Sequence, residues 1–163
     1  MAKIVTRVVG HKDLLALRKF YNTYGDELLK SGPLTDHDLD DAAIQRLHNP
    51  QLTRRVVVEE NGKIIAAAQV CGRQTERRFI GTVEYVLVAR AWRGHGFGPM
   101  VMEELERQAL DMGITKLELH SELEHKAAHQ MYHNLGYLLV EDSLVHFEKK
   151  IAPPSAKDRE PIF

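Results

Sequence analysis

The sequence predicts a mixed α/β (α+β) fold, in which helices pack on the faces of one β-sheet. Apolar residues recur at helical spacing in four segments and alternate as in strands in seven others, in the order β-α-α-β-β-β-α-β-α-β-β. The strongest short hairpin signal, Asn61-Gly62, lies within the central run of three strands. A chain of 163 residues is most simply one domain. We assign residues 1–151 to that domain and 152–163, which contain three prolines, to an irregular tail.

The first 50 residues predict one strand and two helices. Residues 3–9 are rich in β-branched side chains, which favour a strand. Residues 11–29 carry apolar side chains at helical spacing, and Ser31-Gly32-Pro33 ends this helix. A shorter second helix is expected from about residue 36 to Asn49-Pro50, which closes it.

The central part of the chain predicts three consecutive strands. Residues 55–60 and 63–71 have strand-like patterns, and Asn61-Gly62 between them favours a tight turn. A third strand is expected over residues 79–89. These strands form the middle of the predicted sheet.

The remaining segments alternate between helix and strand. Residues 99–112 predict a helix that ends at Gly113, and residues 124–135 predict another that ends at Gly136. Residues 116–120 alternate as a strand between them. Two last short strands are expected at residues 137–140 and 144–149.

Composition excludes several classes of protein. The formal net charge of -1 gives no reason to expect nucleic acid or an anionic membrane as a partner. No apolar stretch approaches the about 20 residues that a membrane span needs, and the N-terminus lacks the apolar core of a signal peptide. The single Cys71 excludes an intramolecular disulfide and a CxxC metal site. We therefore expect a cytoplasmic protein that binds neither nucleic acid nor membrane, with Cys71 as a buried thiol.

A glycine-rich segment, Arg93-Gly94-His95-Gly96-Phe97-Gly98, follows the third central strand and opens a helix. N–H groups at a helix start converge on one point, where the helix dipole also favours an anion. The alternative is a tight connection that binds no ligand. A Walker loop would need Lys followed by Ser or Thr, where Pro99-Met100 stands. The strand pattern also does not fit a dinucleotide-binding fold, although Glu118 lies at about the required distance.

A second set of residues lies on the following helix: His125, Ala128, Tyr132, Gly136 and Tyr137. Ala128 and Tyr132 share its apolar face, so the phenol should point toward the sheet. Tyr132 could also be an ordinary core residue whose hydroxyl bonds to the main chain.

Together the two segments resemble the Gcn5-related N-acetyltransferase (GNAT) superfamily. That family pairs an Arg/Gln-x-x-Gly-x-Gly/Ala loop with an Asn-x-x-Ala-x-x-x-Tyr-x-x-x-Gly-Phe helix, and the strand Glu84 to Val88 also resembles its fourth strand. The resemblance implies a mostly antiparallel sheet of six to seven strands flanked by about four helices. It also implies an acetyl-CoA-dependent acyltransferase in which an amine attacks the thioester directly, through a tetrahedral intermediate.

The resemblance assigns site residues by position. The loop amides from Arg93 through Gly94, His95, Gly96, Phe97 and Gly98 would hold the coenzyme A pyrophosphate. Main-chain groups of Val86, Leu87 and Val88 would pair with the pantetheine arm, and the N–H near Leu87 would polarise the thioester carbonyl. Tyr132 would protonate the departing thiolate. His125 stands where the family has Asn, which changes a contact in the cofactor site, and Arg90 stands where proline is frequent.

Glu84 is the candidate general base. It lies in an apolar strand, and simple alternation would place it on the face of Val86 and Val88. Partial desolvation would make its carboxylate a stronger proton acceptor. The alternative is a structural glutamate paired with Arg77 or Arg78.

Three histidines recur at intervals of four: His125, His129 and His133. Histidines at this spacing can chelate a metal, but only His120 is available as a ligand from another element. A solvated polar face is the better interpretation, so we predict no metal site.

The acceptor is expected to be the primary amine of a small molecule. The charged turn at residues 73–78 could receive a phosphate or carboxylate of that acceptor, although such turns are usually only solvated. Two alternatives stay open: acetylation of a protein or peptide amine, and a sensor that binds acyl-CoA without catalysis. A homodimer formed through an exposed C-terminal strand is also possible.

Overall fold

The computed structural model describes residues 1–26, 29, 32–34, 52–141 and 145–152. Within these residues the chain forms seven strands and three α-helices. The strands are β1 (Ile4–Val8), β2 (Thr53–Glu60), β3 (Lys63–Gln74), β4 (Phe79–Val88), β5 (Lys116–His120), β6 (Leu138–Glu141) and β7 (His146–Lys150). The helices are α1 (Leu14–Tyr24), α2 (Phe97–Asp111) and α3 (Lys126–Asn134).

All seven strands form one sheet in the order β1-β2-β3-β4-β5-β7-β6. Only β4 and β5 pair in parallel, and the other neighbours are antiparallel. The β2–β3 hairpin turns at Asn61 (φ 50°) and Gly62 (φ 81°), the left-handed pair that the Asn-Gly sequence favours. The predicted mixed, mostly antiparallel sheet is therefore confirmed.

Each face of the sheet carries its own apolar cluster. On one face α2 buries Val101, Leu105 and Ala109 against Ala66 and Ala68 of β3. On the other face α1 buries Leu14, Leu17, Phe20 and Tyr21 around Ala67. Because successive side chains of a strand point to opposite faces, β3 contributes alternate alanines to the two clusters.

Most predicted boundaries agree with the structure to within a few residues. The first helix is an exception, because it ends at Tyr24 with Gly25 as its C-cap and does not reach residue 29. Helix α2 begins at Phe97 instead of 99, because the left-handed Gly96 (φ 85°) already turns the chain into the helix. Pro99 then lies in the first turn, where its missing N–H costs no hydrogen bond. The second helix predicted from residue 36 lies outside the described residues, as does the tail beyond Ala152. None of the helices in the described ranges is long and apolar enough to span a membrane.

Candidate active site

A cleft opens where β4 and β5 separate. Their pairing runs from Ile80–Lys116 to Thr82–Glu118 and goes no further. Beyond it lies a cavity of about 1180 Å³. Its walls are Val83–Val88 of β4, the end of β5 with the segment that follows it (residues 119–125), the glycine loop, and one side of α3 with Leu135 after it. The sheet thus admits an elongated ligand beside the end of β4.

The glycine loop forms one end of this cleft. Gly94 (φ 79°) and Gly96 (φ 85°) are both left-handed, a conformation that side chains disfavour. The first N–H groups of α2 have no acceptor within the helix, and no side chain caps them. The Nε of Arg93 donates to the Val88 carbonyl at 2.9 Å, which places its guanidinium beside the loop. Converging N–H groups and a cation are the features that bind a phosphate anion.

The predicted loop residues do not all face the cleft. Arg93, Gly94, Gly96 and Gly98 line it. His95 and Phe97 do not line the cleft. His95 is exposed, and Phe97 packs against the apolar core. The prediction for these two residues therefore concerns only their main-chain N–H groups.

Strand β4 contains a bulge that overturns one expectation. Tyr85 has φ 54°, and the pairing with β3 shifts between Ala67 and Gln69. The extra residue reverses the alternation of side chains. Val86 and Val88 face the α2 cluster, whereas Glu84 lies beside Gln69 on the α1 face. The expectation that Glu84 shares a face with Val86 and Val88 was therefore wrong.

Helix α1 holds this bulge in place. The Tyr21 hydroxyl donates to the Tyr85 carbonyl at 2.7 Å. Tyr21 is buried, and burial raises the pKa of its phenol. The phenol therefore stays protonated and can keep donating this bond. Leu87, which follows the bulge, packs its side chain under the same helix and also lines the cleft.

Glu84 lines the cleft and is held by side chains that sequence reasoning missed. The Gln69 amide donates to Glu84 Oε2 at 3.1 Å, and Gln69 Oε1 accepts from Arg55 Nε at 2.8 Å. Arg77 and Arg78, the partners named in the alternative interpretation, form no ion pair with Glu84. Gln69 is the cross-strand neighbour of Glu84, and Arg55 is that of Gln69; these relations are visible only once the strand register is known.

Cys71 lies beside this carboxylate. Its Sγ is 3.7 Å from Glu84 Oε2, and the Gln69 amide donates to Sγ at 3.3 Å. Burial, reinforced by the charge of Glu84, raises the pKa of the thiol. Cys71 is only partly buried, which departs from the expectation of a buried thiol, and its raised pKa keeps the thiol neutral.

Tyr132 of α3 lines the cleft from the opposite side. Its side chain is 6% exposed and packs against Tyr137 and Phe147. Burial raises the pKa of its phenol to about 12. Its hydroxyl forms no hydrogen bond with any residue in the described ranges, so it does not have the main-chain partner expected of a core tyrosine. The phenol is therefore a protonated donor beside the cleft.

The three histidines at four-residue spacing do not bring their ring nitrogens together at one point, as ligands of a shared metal would. His125 lines the cleft at the start of α3, whereas the Nε2 of His129 lies 3.1 Å from Ser121 Oγ and His133 is exposed. A different group, Glu118, His146 and Glu148, brings three ligand atoms within 4.8 Å of one another. Two cations already neutralise its carboxylates: Arg73 contacts Glu118 at 2.8 Å, and Lys116 contacts Glu148 at 2.9 Å.

The charged turn at residues 73–78 is closed by its own hydrogen bonds. Thr75 N–H and Arg78 C=O pair at 2.8 Å, and Gln74 also donates to that carbonyl. Because Arg73 is paired with Glu118, its charge is compensated within the protein. These hydrogen bonds and this ion pair all lie within the protein, so they give no evidence that the turn binds a ligand.

Comparison with known proteins relates this geometry to one family. The family model of the Acetyltransferase (GNAT) family matches residues 16–137. A GNAT acetyltransferase from Streptococcus pneumoniae is 18% identical, with a TM-score of 0.74, 92% of this chain covered and 100% of that one. A Salmonella typhimurium protein solved with its cofactor acetyl-CoA is 19% identical, with a TM-score of 0.73 and coverages of 95% and 98%.

A third structure is the PaiA N-acetyltransferase of Thermoplasma acidophilum in complex with coenzyme A. It is 11% identical, with a TM-score of 0.70 and coverages of 91% and 99%. Identities this low establish a shared fold and nothing finer. A search of curated protein sequences found no match. The family match spans most of the chain and includes both the glycine loop and Tyr132, so the protein belongs to the GNAT family of acetyltransferases.

Proposed function

We propose that this protein transfers the acetyl group of acetyl-CoA to the primary amine of a small molecule. The observation that carries the proposal is the cleft between β4 and β5, which joins an anion-binding loop to a carboxylate and a protonated phenol. When bound, acetyl-CoA supplies an acetyl group on a thioester, which an amine can attack directly. The protein then has three tasks: to hold the cofactor, to accept a proton from the amine, and to donate one to the thiolate.

The cofactor is held by main-chain groups. The loop N–H groups from Arg93 to Gly98 bind the pyrophosphate, and the Arg93 guanidinium adds a positive charge beside them. The edge of β4 past Thr82 is not paired with β5, so Val86, Leu87 and Val88 can pair with the pantetheine arm as a strand would. A main-chain N–H near Leu87 stabilises the oxyanion that develops on the carbonyl. His125, at the start of α3, completes this site.

Glu84 accepts the proton of the attacking amine, directly or through water. Gln69 supports this role. Its side-chain amide donates a hydrogen bond of 3.1 Å to one carboxylate oxygen of Glu84, which fixes the carboxylate and leaves the other oxygen available. Tyr132 donates its proton to the departing thiolate. The raised pKa supports that role, since a phenol with a pKa of about 12 is fully protonated at neutral pH.

Release of free coenzyme A thiol, measured with acetyl-CoA and a panel of amines and peptides, tests the proposal. We expect release with small primary amines and none without an acceptor. Release only with peptides would establish the alternative, a protein acetyltransferase. Tight binding of coenzyme A without release for any acceptor would identify a non-catalytic sensor.

Three further assignments remain proposals. Residues 1–151 act as one acetyltransferase domain, and the protein works in the cytoplasm. A homodimer would form through β6, an edge strand whose apolar side chains face outward. These are Leu138, Leu139 and Val140, which are 70%, 50% and 56% exposed. Sedimentation of the purified protein at several concentrations measures this last property directly.

A further inference from the structure

Three polar side chains lie in a row across the face of the sheet that α1 covers. Arg55 of β2 pairs in register with Gln69 of β3, and Gln69 pairs with Glu84 of β4. Neighbouring strands are about 4.8 Å apart, so the backbones of Arg55 and Glu84 are about 10 Å apart. Hydrogen bonds of 2.8 and 3.1 Å join the three side chains through Gln69.

The guanidinium of Arg55 is only partly used by the protein. Its Nε donates to Gln69, and within the described ranges neither terminal nitrogen has a partner. Arg55 is half-buried, and burial lowers the pKa of its guanidinium, although nearby Cys71 and Glu84 oppose that shift. A guanidinium carries five N–H donors, and it is costly to desolvate them without acceptors.

Other arginines of the sheet, unlike Arg55, form ion pairs with carboxylates. Arg7 is bonded to the carboxylates of Asp13 and Glu59. Arg54 contacts Asp111 at 2.6 Å, and Arg73 contacts Glu118 at 2.8 Å. Arg55 has a carboxylate close by, in Glu84, yet that carboxylate is bonded to Gln69 and forms no ion pair with Arg55. Among the residues that the structure describes, no acceptor occupies the two terminal nitrogens of Arg55, which leaves them for an oxyanion of a bound molecule.

We propose that Arg55 binds an oxyanion group of the acceptor, a carboxylate or a phosphate, while the amine of the same molecule lies at Glu84. This inference rests on the proposed function and adds the substrate class, a small zwitterion. The two opposite charges of the row match the two opposite charges of such a molecule. The paired terminal nitrogens of a guanidinium also fit the two oxygens of a carboxylate or phosphate.

The row also gives the acceptor its direction. Glu84 lines the cleft, so an amine held there lies next to the strand that we assign to the thioester arm. Arg55 lies two strands away from the cleft side of β4, beside Tyr21 and Tyr85. An anion held at Arg55 would therefore point the amine end of the molecule toward the cleft. This orientation is what direct attack on the thioester requires.

The test compares acceptors that differ only in the anionic group. Acetyl transfer is measured for 3-aminopropionate against its amide, 4-aminobutyrate against its amide, and 2-aminoethyl phosphate against ethanolamine. We expect kcat/KM to favour the anionic member of at least one pair by tenfold or more, and the three pairs separate carboxylate from phosphate. Equal kcat/KM within every pair would overturn this inference alone. Absence of thiol release with every acceptor would overturn the proposed function and this inference together.

Variants of Arg55 assign the preference to this residue. In Arg55→Gln we expect the preference to disappear, mainly through a higher KM for the anionic acceptor. Any loss transmitted through Gln69 to Glu84 falls on both members of a pair, so the ratio of their kcat/KM values is the readout. Arg55→Lys should restore part of the preference, because lysine keeps the charge but not the paired geometry. Arg107→Gln removes the same charge from the exposed surface of α2 and should leave the preference intact. An equal loss for both members of a pair in Arg55→Gln would contradict a role in anion binding. If Arg55→Gln does not fold, the wild-type pairs and Arg55→Lys still decide the question.

Discussion

Replacement of Gly96 by alanine separates backbone strain from cofactor binding. Gly96 has φ 85°, and a Cβ at this position would have no heavy atom within 4 Å. The substitution therefore adds no steric contact, and its whole cost is conformational. A left-handed conformation costs a residue with a Cβ about 1–2 kcal/mol. For a domain of this size, that cost lowers the midpoint of thermal unfolding by about 2–8 °C.

Gly62 provides a matched control in the β2–β3 turn. It has φ 81°, and a Cβ there would also have no heavy atom within 4 Å. Gly62→Ala should therefore lose the same stability as Gly96→Ala. The two variants differ in their position relative to the cleft. Gly96 lines the cleft at the start of α2, whereas Gly62 lies in the hairpin turn.

The expected difference lies in coenzyme A affinity, measured by titration calorimetry. If Gly96→Ala relaxes by moving even one loop N–H away from the pyrophosphate, it loses a hydrogen bond to a charged group, worth about 1.5–3 kcal/mol. The dissociation constant should then rise by about tenfold or more, while Gly62→Ala binds as the wild type does. Asparagine tolerates the left-handed conformation, so Gly96→Asn should recover part of the stability. A Gly96→Ala variant that loses less stability than Gly62→Ala has relaxed its loop, and unchanged coenzyme A affinity in that variant would refute the assignment of the loop to the pyrophosphate.

Three other predictions follow from the structure. Glu84→Gln should lower kcat by about 10²–10⁴-fold and flatten its pH dependence, as removal of a general base does; an unchanged pH profile would exclude Glu84 from that role. The pKa of Tyr132 is raised from 10.0 to about 12 on folding, so its neutral phenol contributes stability below pH 10 that is lost as the pH rises toward 12. Tyr132→Phe should therefore lessen the fall in unfolding free energy over this range and also reduce kcat; the same fall in both proteins would contradict it. Leu105→Ala should cost about 2–5 kcal/mol in denaturant unfolding, because Leu105 is fully buried under the sheet. Leu110→Ala, on the exposed side of the same helix at 45% exposure, should change stability by less than about 0.5 kcal/mol.

Local patterns in the sequence determined most of the elements of this protein. The hairpin at Asn61-Gly62 could be predicted because a two-residue turn with positive φ depends on those two residues alone. The start of α2 after the glycine loop could be predicted for the same reason, since glycines and the first helical turn are neighbours in the chain. The face of α2 that carries Leu105 followed from helical periodicity.

Contacts between distant parts of the chain decided the rest of the site. Alternation predicted the wrong face for Glu84, because the bulge at Tyr85 is stabilised by Tyr21, which is 64 residues away in the chain. Gln69, which bonds to Glu84, and Arg55, which bonds to Gln69, came together with Glu84 only when three strands aligned in one register. The cleft itself exists because β4 and β5 stop pairing after Thr82, which neither strand encodes in its own pattern. Turn and helix signals act over a few residues, whereas register, bulges and strand separation depend on the packing of the whole sheet.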